Sequence, residues 1–244
     1  MRNVKAVVEY DGTDFKGFQY QPCLPTIQGK LQRVLEILVQ KPVTIYGAGR
    51  TDAGVHAQGQ VFNFKTDASI PTDRICYAFN SILPEAIRVV SAEEVDLDFH
   101  SRFSAKSRWY RYRILNRKLD SALRNRFVWH IHKPLLIEDM TYGSELLMGI
   151  NDFSSFACVC KENESFYRNL TQLTITVDGD EVLVDIRANA FLKSMVRVIV
   201  GTLVEVGLGL RPYQDIQNIL EARDRKLAGN TAPAKGLCLM EVEY

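Results

Sequence analysis

Short apolar runs and helical periodicities divide the first part of the chain into alternating strands and helices. Residues 4–9 form a β-rich run that ends at the turn Asp11-Gly12. Thr26 can cap a helix over residues 27–40, in which apolar side chains recur at helical spacing. The pattern then predicts strands over 43–46 and 58–64, a helix over 71–82 and a strand over 87–95.

The second part of the chain repeats this alternation less regularly. It predicts a strand over 106–115, a helix over 137–147, helices over 194–206 and 212–222, and a final strand from 238. Asp178-Gly179-Asp180 between two β-rich runs, 170–177 and 182–188, predicts a hairpin. The whole pattern predicts an α+β fold with mainly antiparallel strands, divided near residue 104 into domains 1–104 and 105–244.

Composition adds few constraints on this picture. The chain has 244 residues, of which 46% are hydrophobic and 24% charged, as in ordinary globular proteins. Charged residues interrupt the most apolar stretch, 191–210, so no membrane span is predicted. The five cysteines fit a reducing cytoplasm. Cys158 and Cys160 form a C-x-C motif without a second ligand pair, so we predict no metal site.

Positive charge is concentrated in one segment. Residues 100–133 contain ten of the 30 Lys and Arg residues, Arg102, Lys106, Arg108, Arg111, Arg113, Arg117, Lys118, Arg124, Arg126 and Lys133, but only Asp120 of the 29 acids. A solvated face usually carries both signs, whereas clustered cations bind a phosphate backbone and displace its counterions. The segment therefore predicts a polyanionic partner.

The sequence GAGRTDAGVH, residues 47–56, resembles a phosphate-binding loop but lacks the required residues. The position of a P-loop lysine is occupied by Val55, and Asp52 stands where a dinucleotide-binding loop has its third glycine. Glycines permit positive φ and close backbone approach, and aspartate is ionised at neutral pH. The loop alone leaves two roles open for Asp52, a reactive carboxylate or a turn-forming side chain.

Two further patterns indicate possible functional residues. On the predicted strand SRWYRYRIL, Tyr110 and Tyr112 share one face, where either could stack on an unpaired base or pack in a core. Arg197 lies in an apolar helix, with Gly201 one turn later on the same face. A cation in such a helix either reaches solvent along its aliphatic stem or awaits an anion, for which Asp52 is one possibility.

Six motifs in order along the chain resemble the TruA family of tRNA pseudouridine synthases. They are YDGTDFKGFQ, GAGRTDAGVHAQGQVFNF, FHSRFSAKSRWYRYRI, NDFSSF, AFLKSMVRVIVGTLVEVG and APAKGLCLMEVEY. The resemblance covers essentially the whole chain. It implies two ferredoxin-like or RRM-like α+β lobes that share a continuous mixed, mainly antiparallel sheet, with the active-site cleft between them.

The resemblance also implies roles for individual residues. The catalytic aspartate of the family corresponds to Asp52, and the arginine that pairs with it corresponds to Arg197. The tyrosine that stacks on the target base corresponds to Tyr110. Further substrate contacts are expected from Arg50 and from a supporting leucine, Leu237, and the basic strand adds Arg108 and Arg111.

The implied reaction converts uridine to pseudouridine at tRNA positions 38, 39 and 40 in the anticodon stem-loop. It requires no cofactor and no metal, and the enzyme is expected to be a cytoplasmic homodimer. Two alternatives remain open at this level. A non-catalytic RNA-binding module would use the basic strand but not Asp52, and a glycosidic hydrolase would usually need a second carboxylate.

Overall fold

The polypeptide forms two structural units, and the first contains both early and late parts of the chain. In the computed structural model, which describes residues 1–158 and 165–244, one unit comprises Met1–Lys106 with Cys238–Tyr244. The other comprises Ser107–Leu237. The sequence-based division assigned residues 238–244 to the second domain, whereas the structure groups them with the first unit.

The first unit is a mainly antiparallel sheet with two helices. Its elements are β1 (Arg2–Tyr10), α1 (Ile27–Val39), β2 (Tyr46–Gly47), β3 (His56–Thr66), α2 (Thr72–Asn80), β4 (Ile87–Val95) and, apart from its first residue, β10 (Leu237–Glu243). The strand order is β4-β1-β3-β10, and β2 pairs with β3. The β3–β10 pairing is parallel, with Cys238 opposite His56. Thr26 caps α1 by accepting a hydrogen bond from Gly29 N, as predicted.

The second unit combines an antiparallel sheet with three helices. Its elements are β5 (Ser107–Asn116), β6 (Trp129–Ile131), α3 (Ile137–Glu145), β7 (Gly149–Asp152), β8 (Tyr167–Asp178), β9 (Glu181–Ala188), α4 (Met195–Gly207) and α5 (Asp215–Ala222). The strand order is β5-β9-β8-β7, and β6 runs parallel to β5. Eleven residues of α4 are buried, which explains its almost uninterrupted apolar sequence. The α+β class and the mainly antiparallel pairing are as predicted.

Strand β5 alternates as its sequence indicates. Tyr110, Tyr112 and Ile114 are buried, whereas Trp109 and Arg111 on the opposite face are partly exposed. The predicted hairpin joins β8 to β9 at residues 178–181, where Gly179 has φ +60°. This positive φ is the conformation for which Asp-Gly turns are selected.

The structure differs from the predicted elements in a few places. The strand expected at 43–46 is reduced to Tyr46–Gly47. Val43 and Ile45 are buried, but the carbonyl of Ile45 accepts a hydrogen bond from Gln28 Nε2 instead of a strand partner. The short strands β6 and β7 were not predicted, because three or four residues are too few to show a period. Every helix within residues 1–158 and 165–244 is too short or too polar to traverse a lipid bilayer.

Candidate active site

The loop between β2 and β3, residues 47–56, is fixed to the core through Thr51. The Thr51 side chain is 6% exposed, and its Oγ1 lies 2.8 Å from the buried hydroxyl of Tyr10. Its carbonyl oxygen accepts a hydrogen bond of 3.1 Å from Phe18 N. The side chain of the residue immediately before Asp52 is therefore held by the end of β1, and its backbone by the segment that follows β1.

The far side of the loop is fixed to the same segment. Gly54, at φ +78°, donates its backbone N–H to Phe15 O at 3.3 Å. His56, which is 5% exposed, accepts a hydrogen bond of 3.1 Å from Gly12 N through Nδ1. Because Nδ1 uses its lone pair in this bond, its contact of 3.2 Å with Asp11 Oδ1 is not a second hydrogen bond in the same tautomer. The motif YDGTDFKGF thus acts as a clamp on the loop.

Asp52 lies between these two anchors. It is partly buried, and its backbone carbonyl accepts a hydrogen bond from Val55 N at 3.1 Å. Arg50 is exposed, and its side chain forms no ion pair or hydrogen bond with the part of the chain that the structure describes. A Cβ added to Gly49 would meet nothing within 4 Å. The loop therefore combines a fixed backbone at Asp52 with open space and an available cation just before it.

The two tyrosines of β5 differ in their surroundings. The Tyr112 hydroxyl donates to the carbonyl oxygen of Pro233 at 2.7 Å. Burial raises the pKa of this hydroxyl well above its usual range, and the positive charge of Arg197 opposes part of that shift. Tyr110 is 9% exposed and packs edge-on against Phe191, with ring centroids 5.2 Å apart. The Tyr112 hydroxyl is thus bound within the core of its unit, whereas the Tyr110 ring packs against Phe191.

Arg197 is held in the first turn of α4 by the loop that precedes β10. Its Nε donates to Ala232 O at 2.8 Å, and its backbone carbonyl accepts from Ala232 N at 3.0 Å. One turn later, a Cβ at Gly201 would overlap the carbonyl oxygen of Asn230. The glycine expected to allow close approach does so, and it brings the 230–232 backbone against the face that carries Arg197.

The same loop places Leu237. A Cβ on Gly236 would lie 2.6 Å from the Tyr112 ring, so only glycine lets the loop pack on this tyrosine. Leu237 follows directly and is 5% exposed. Arg197, Tyr112 and the 232–237 loop thus form one cluster within the second unit.

Much of the basic segment is paired with acids of β9 and of the turn before it. Arg111 binds Asp185 through two hydrogen bonds of 2.9 and 3.0 Å, and Trp109 Nε1 donates to the same carboxylate at 2.7 Å. Arg113 binds Glu181 in the same bidentate way. Asp180 pairs with Arg117 and Arg124, and Glu181 also pairs with Arg124. Sequence composition missed this neutralisation because the acids lie outside residues 100–133.

The predicted site residues fall in both units. Asp52 and Arg50 belong to the first, and Tyr110, Arg197, Leu237, Arg108 and Arg111 belong to the second. Arg108 donates through Nη1 to Asn189 O at 2.8 Å. Within residues 1–158 and 165–244, no group of His, Cys, Asp and Glu could hold a metal ion. Cys160 of the C-x-C motif lies outside the described residues.

Comparison with known proteins identifies close relatives over the full chain. The sequence model of a family described as tRNA pseudouridine synthase matches residues 6–104 and 144–244. A protein named tRNA pseudouridine synthase A from Thermoanaerobacter sp. (strain X514) is 46% identical over 244 residues, which is 100% of both chains. Proteins of the same name from Brevibacillus brevis and Actinobacillus pleuropneumoniae serotype 7 are 44% and 45% identical, covering 100% and 97% of this chain and 100% and 90% of their own.

Proposed function

Because the chain belongs to the tRNA pseudouridine synthase family and is therefore an isomerase of uridine in tRNA, we propose that Asp52 attacks the target nucleotide. The observation that carries this assignment is the clamp around the loop. Thr51 and Val55 are buried on either side of the partly buried Asp52, and the segment 10–18 fixes the backbone. Covalent catalysis requires a nucleophile that is held in a fixed position, and a carboxylate on such a fixed backbone meets this requirement.

The reaction rearranges bonds without a change in mass. The N1–C1′ bond of the uridine breaks, the uracil rotates, and C5 forms the new bond to C1′. C5 loses its proton, N1 gains one, and the bond that Asp52 forms to the nucleotide breaks again, so the enzyme is regenerated and no oxidant, reductant or cofactor is consumed. The target base has to leave its helical stack before Asp52 can reach the nucleotide, as in other enzymes that modify bases.

Arg197 and Tyr110 complete the proposed chemistry. The proposed role of Arg197 is to bring its positive charge to the Asp52 carboxylate in the complex with tRNA. Nε of Arg197 is already bound to Ala232, which fixes the direction of the guanidinium. Tyr110 stacks on the uracil and accepts the C5 proton. Its edge-on contact with Phe191 supports this role, because it holds the ring in one orientation.

The remaining predicted residues bind the RNA. Arg50 is exposed two residues before Asp52 and is suited to a phosphate next to the target nucleotide. Leu237 supports the base from the second unit, and Arg108 contributes positive charge. Arg111 contributes less than its formal charge, because Asp185 binds two of its nitrogens.

The proposed substrate is the anticodon stem-loop of tRNA, at positions 38, 39 and 40. The proposal includes a homodimer in the cytoplasm, where the tRNA is available. Mapping pseudouridine in tRNA incubated with and without the protein tests the positions directly. Modification confined to other positions would contradict the proposed substrate while leaving the family activity intact.

Release of the C5 hydrogen from labelled uridine in tRNA tests the catalytic assignment. We expect Asp52→Asn and Asp52→Ala to abolish release while tRNA binding persists. Asp73→Asn, which alters an exposed carboxylate in α2, serves as the matched control and should retain full activity. Full activity in Asp52→Ala would refute the assignment. A wild-type protein that binds tRNA but releases no hydrogen would instead support the RNA-binding module.

A further inference from the structure

The first unit carries an exposed cluster of aromatic rings, part of which lies just before the end of its segment Met1–Lys106. It consists of Tyr46 in β2 and of His100 and Phe103 in the turn over residues 97–104, and we refer to it as the aromatic turn. The rings of Tyr46 and His100 are 4.9 Å apart, and those of His100 and Phe103 are 4.5 Å apart. The three rings thus form a continuous series at the surface.

The aromatic turn is held rigidly through Ser101, which is fully buried. Ser101 N donates to Asn63 Oδ1 at 2.9 Å, and Ser101 Oγ donates to the carbonyl oxygen of Tyr46 at 2.5 Å. The hydroxyl of Tyr244 donates to Ser101 O at 2.9 Å. Asn63 is itself buried and bonded to Asn3. A binding surface that is ordered before the ligand arrives loses less entropy on binding.

The rings face solvent, although burying them would be favourable. Phe103 is 76% exposed and Tyr46 is 42% exposed. The guanidinium of Arg102 lies over the Phe103 ring, 5.5 Å from its centroid. Aromatic rings with an adjacent arginine plane are the surfaces on which proteins stack unpaired bases. Asp96 lies just before the turn and Asp98 within it, so attraction of phosphates alone does not explain the cluster.

We propose that the aromatic turn stacks on an unpaired base of the tRNA, at a site separate from the target uridine. This inference rests on the proposed function for the identity of the RNA. Five residues lie between Tyr46 and Asp52, so the Cα atoms of these two residues are at most about 20 Å apart even in an extended chain. A base within this distance can belong to the same tRNA molecule as the target uridine.

Substitution of Phe103 tests the proposal. Stacking contributes about 1–3 kcal/mol per base, so Phe103→Ala should raise the Kd for tRNA about tenfold, whereas Phe103→Trp should retain wild-type affinity. Tyr77→Ala, which removes a ring 72% exposed on α2, is the matched control and should leave the Kd unchanged. The slope of log Kd against log salt should be the same for Phe103→Ala and wild type, because no phosphate contact is removed.

The outcomes separate this inference from the proposed function. At saturating tRNA, Phe103→Ala should release C5 hydrogen at the wild-type rate, because the substitution weakens binding and not chemistry. An unchanged Kd in Phe103→Ala overturns the inference. A weaker affinity accompanied by a change in the mass of the oligomer also overturns it, because the loss would then come from altered assembly and not from stacking. Failure of the wild-type protein to release hydrogen would refute the proposed function, while the comparison of Kd values would still test stacking.

Discussion

The hydroxyl groups of Tyr10 and Thr51 lie 2.8 Å apart in a buried hydrogen bond that joins β1 to the residue before Asp52. The bond links the end of a core strand to the Asp52 loop. A displacement of about 1 Å at a catalytic group can lower a rate 10²-fold. We therefore expect Tyr10, the first residue of the motif YDGTDFKGFQ, to help position Asp52 through Thr51.

Thr51→Val tests this function, because valine keeps the shape of threonine and removes its hydroxyl. We expect the single-turnover rate to fall between about 10- and 100-fold while the Kd for tRNA stays unchanged. The unfolding free energy should fall by about 0.5–1.5 kcal/mol, since one buried hydrogen bond is lost. Thr51→Ser retains the hydroxyl and is the matched control. Equal rates for the valine and serine variants would show that the bond does not position Asp52.

Gly201→Ala tests the contact between α4 and the loop that precedes β10. The added methyl group would overlap Asn230 O, so the loop has to move. Overpacking of this kind costs about 1–3 kcal/mol, which thermal or denaturant unfolding would detect. Because Ala232 holds Arg197, we also expect a lower catalytic rate. A variant with wild-type stability and rate would contradict the close approach.

Gly49→Ala asks whether the Asp52 loop needs room for the substrate. No atom lies within 4 Å of the added Cβ, and Gly49 has no positive φ, so we expect a stability change below about 0.5 kcal/mol. If a nucleotide passes close to this backbone, the KM for tRNA should rise. Wild-type kinetics together with wild-type stability would show that the open space is not used by the substrate.

The elements of the fold were predictable where the chain repeats a pattern over many residues. The apolar sequence of α4 is an example. The Asp-Gly turn was predictable for a different reason, because the conformation of a turn depends on the few residues within it. The ion pairs of Arg111 and Arg113 were not predictable, because their acids lie about 70 residues later in the sequence. Composition therefore overestimated the free charge of residues 100–133. For the same reason, GAGRTDAGVH gave no sign that Tyr10 anchors it.

The acids of the β8–β9 turn predict a loss of stability in acid. A hydrogen bond from Arg124 lowers the pKa of Asp180 to about 2. Burial alone would raise the pKa of Glu181, but hydrogen bonds and charge from Arg113 and Arg124 lower it overall. Since both folded-state values lie below the unfolded ones, the stabilisation is complete above about pH 4–5 and is lost as the pH falls towards 2.

Asp180→Asn should therefore reduce the pH dependence of the unfolding free energy between about pH 4 and pH 2. Asp178→Asn, an exposed neighbour in the same hairpin, is the control. Denaturant titrations at several pH values provide the measurement. Parallel pH profiles for the wild type and the Asp180 variant would contradict the assignment.

Salt dependence of tRNA binding can separate structural cations from those that contact phosphate. Lys118 and Lys133 are exposed. If such a lysine contacts a phosphate, its substitution by Gln should reduce the magnitude of the slope of log Kd against log salt by about 0.7–0.9. Arg113→Gln should leave this slope unchanged and reduce stability, because Arg113 pairs with the buried Glu181. A flat salt plot for the wild-type protein would refute the basic segment as an RNA contact.

The parallel pairing of β10 with β3 also constrains folding during synthesis. Residues 238–244 leave the ribosome only after residues 107–237, yet they belong to the sheet of the first unit. Until then, β3 has an unpaired edge beside His56 and Ala57, directly after the loop that carries Asp52. The nascent first unit therefore completes its sheet only after the second unit has been translated, so the start of β3, directly after the Asp52 loop, acquires its β10 partner last.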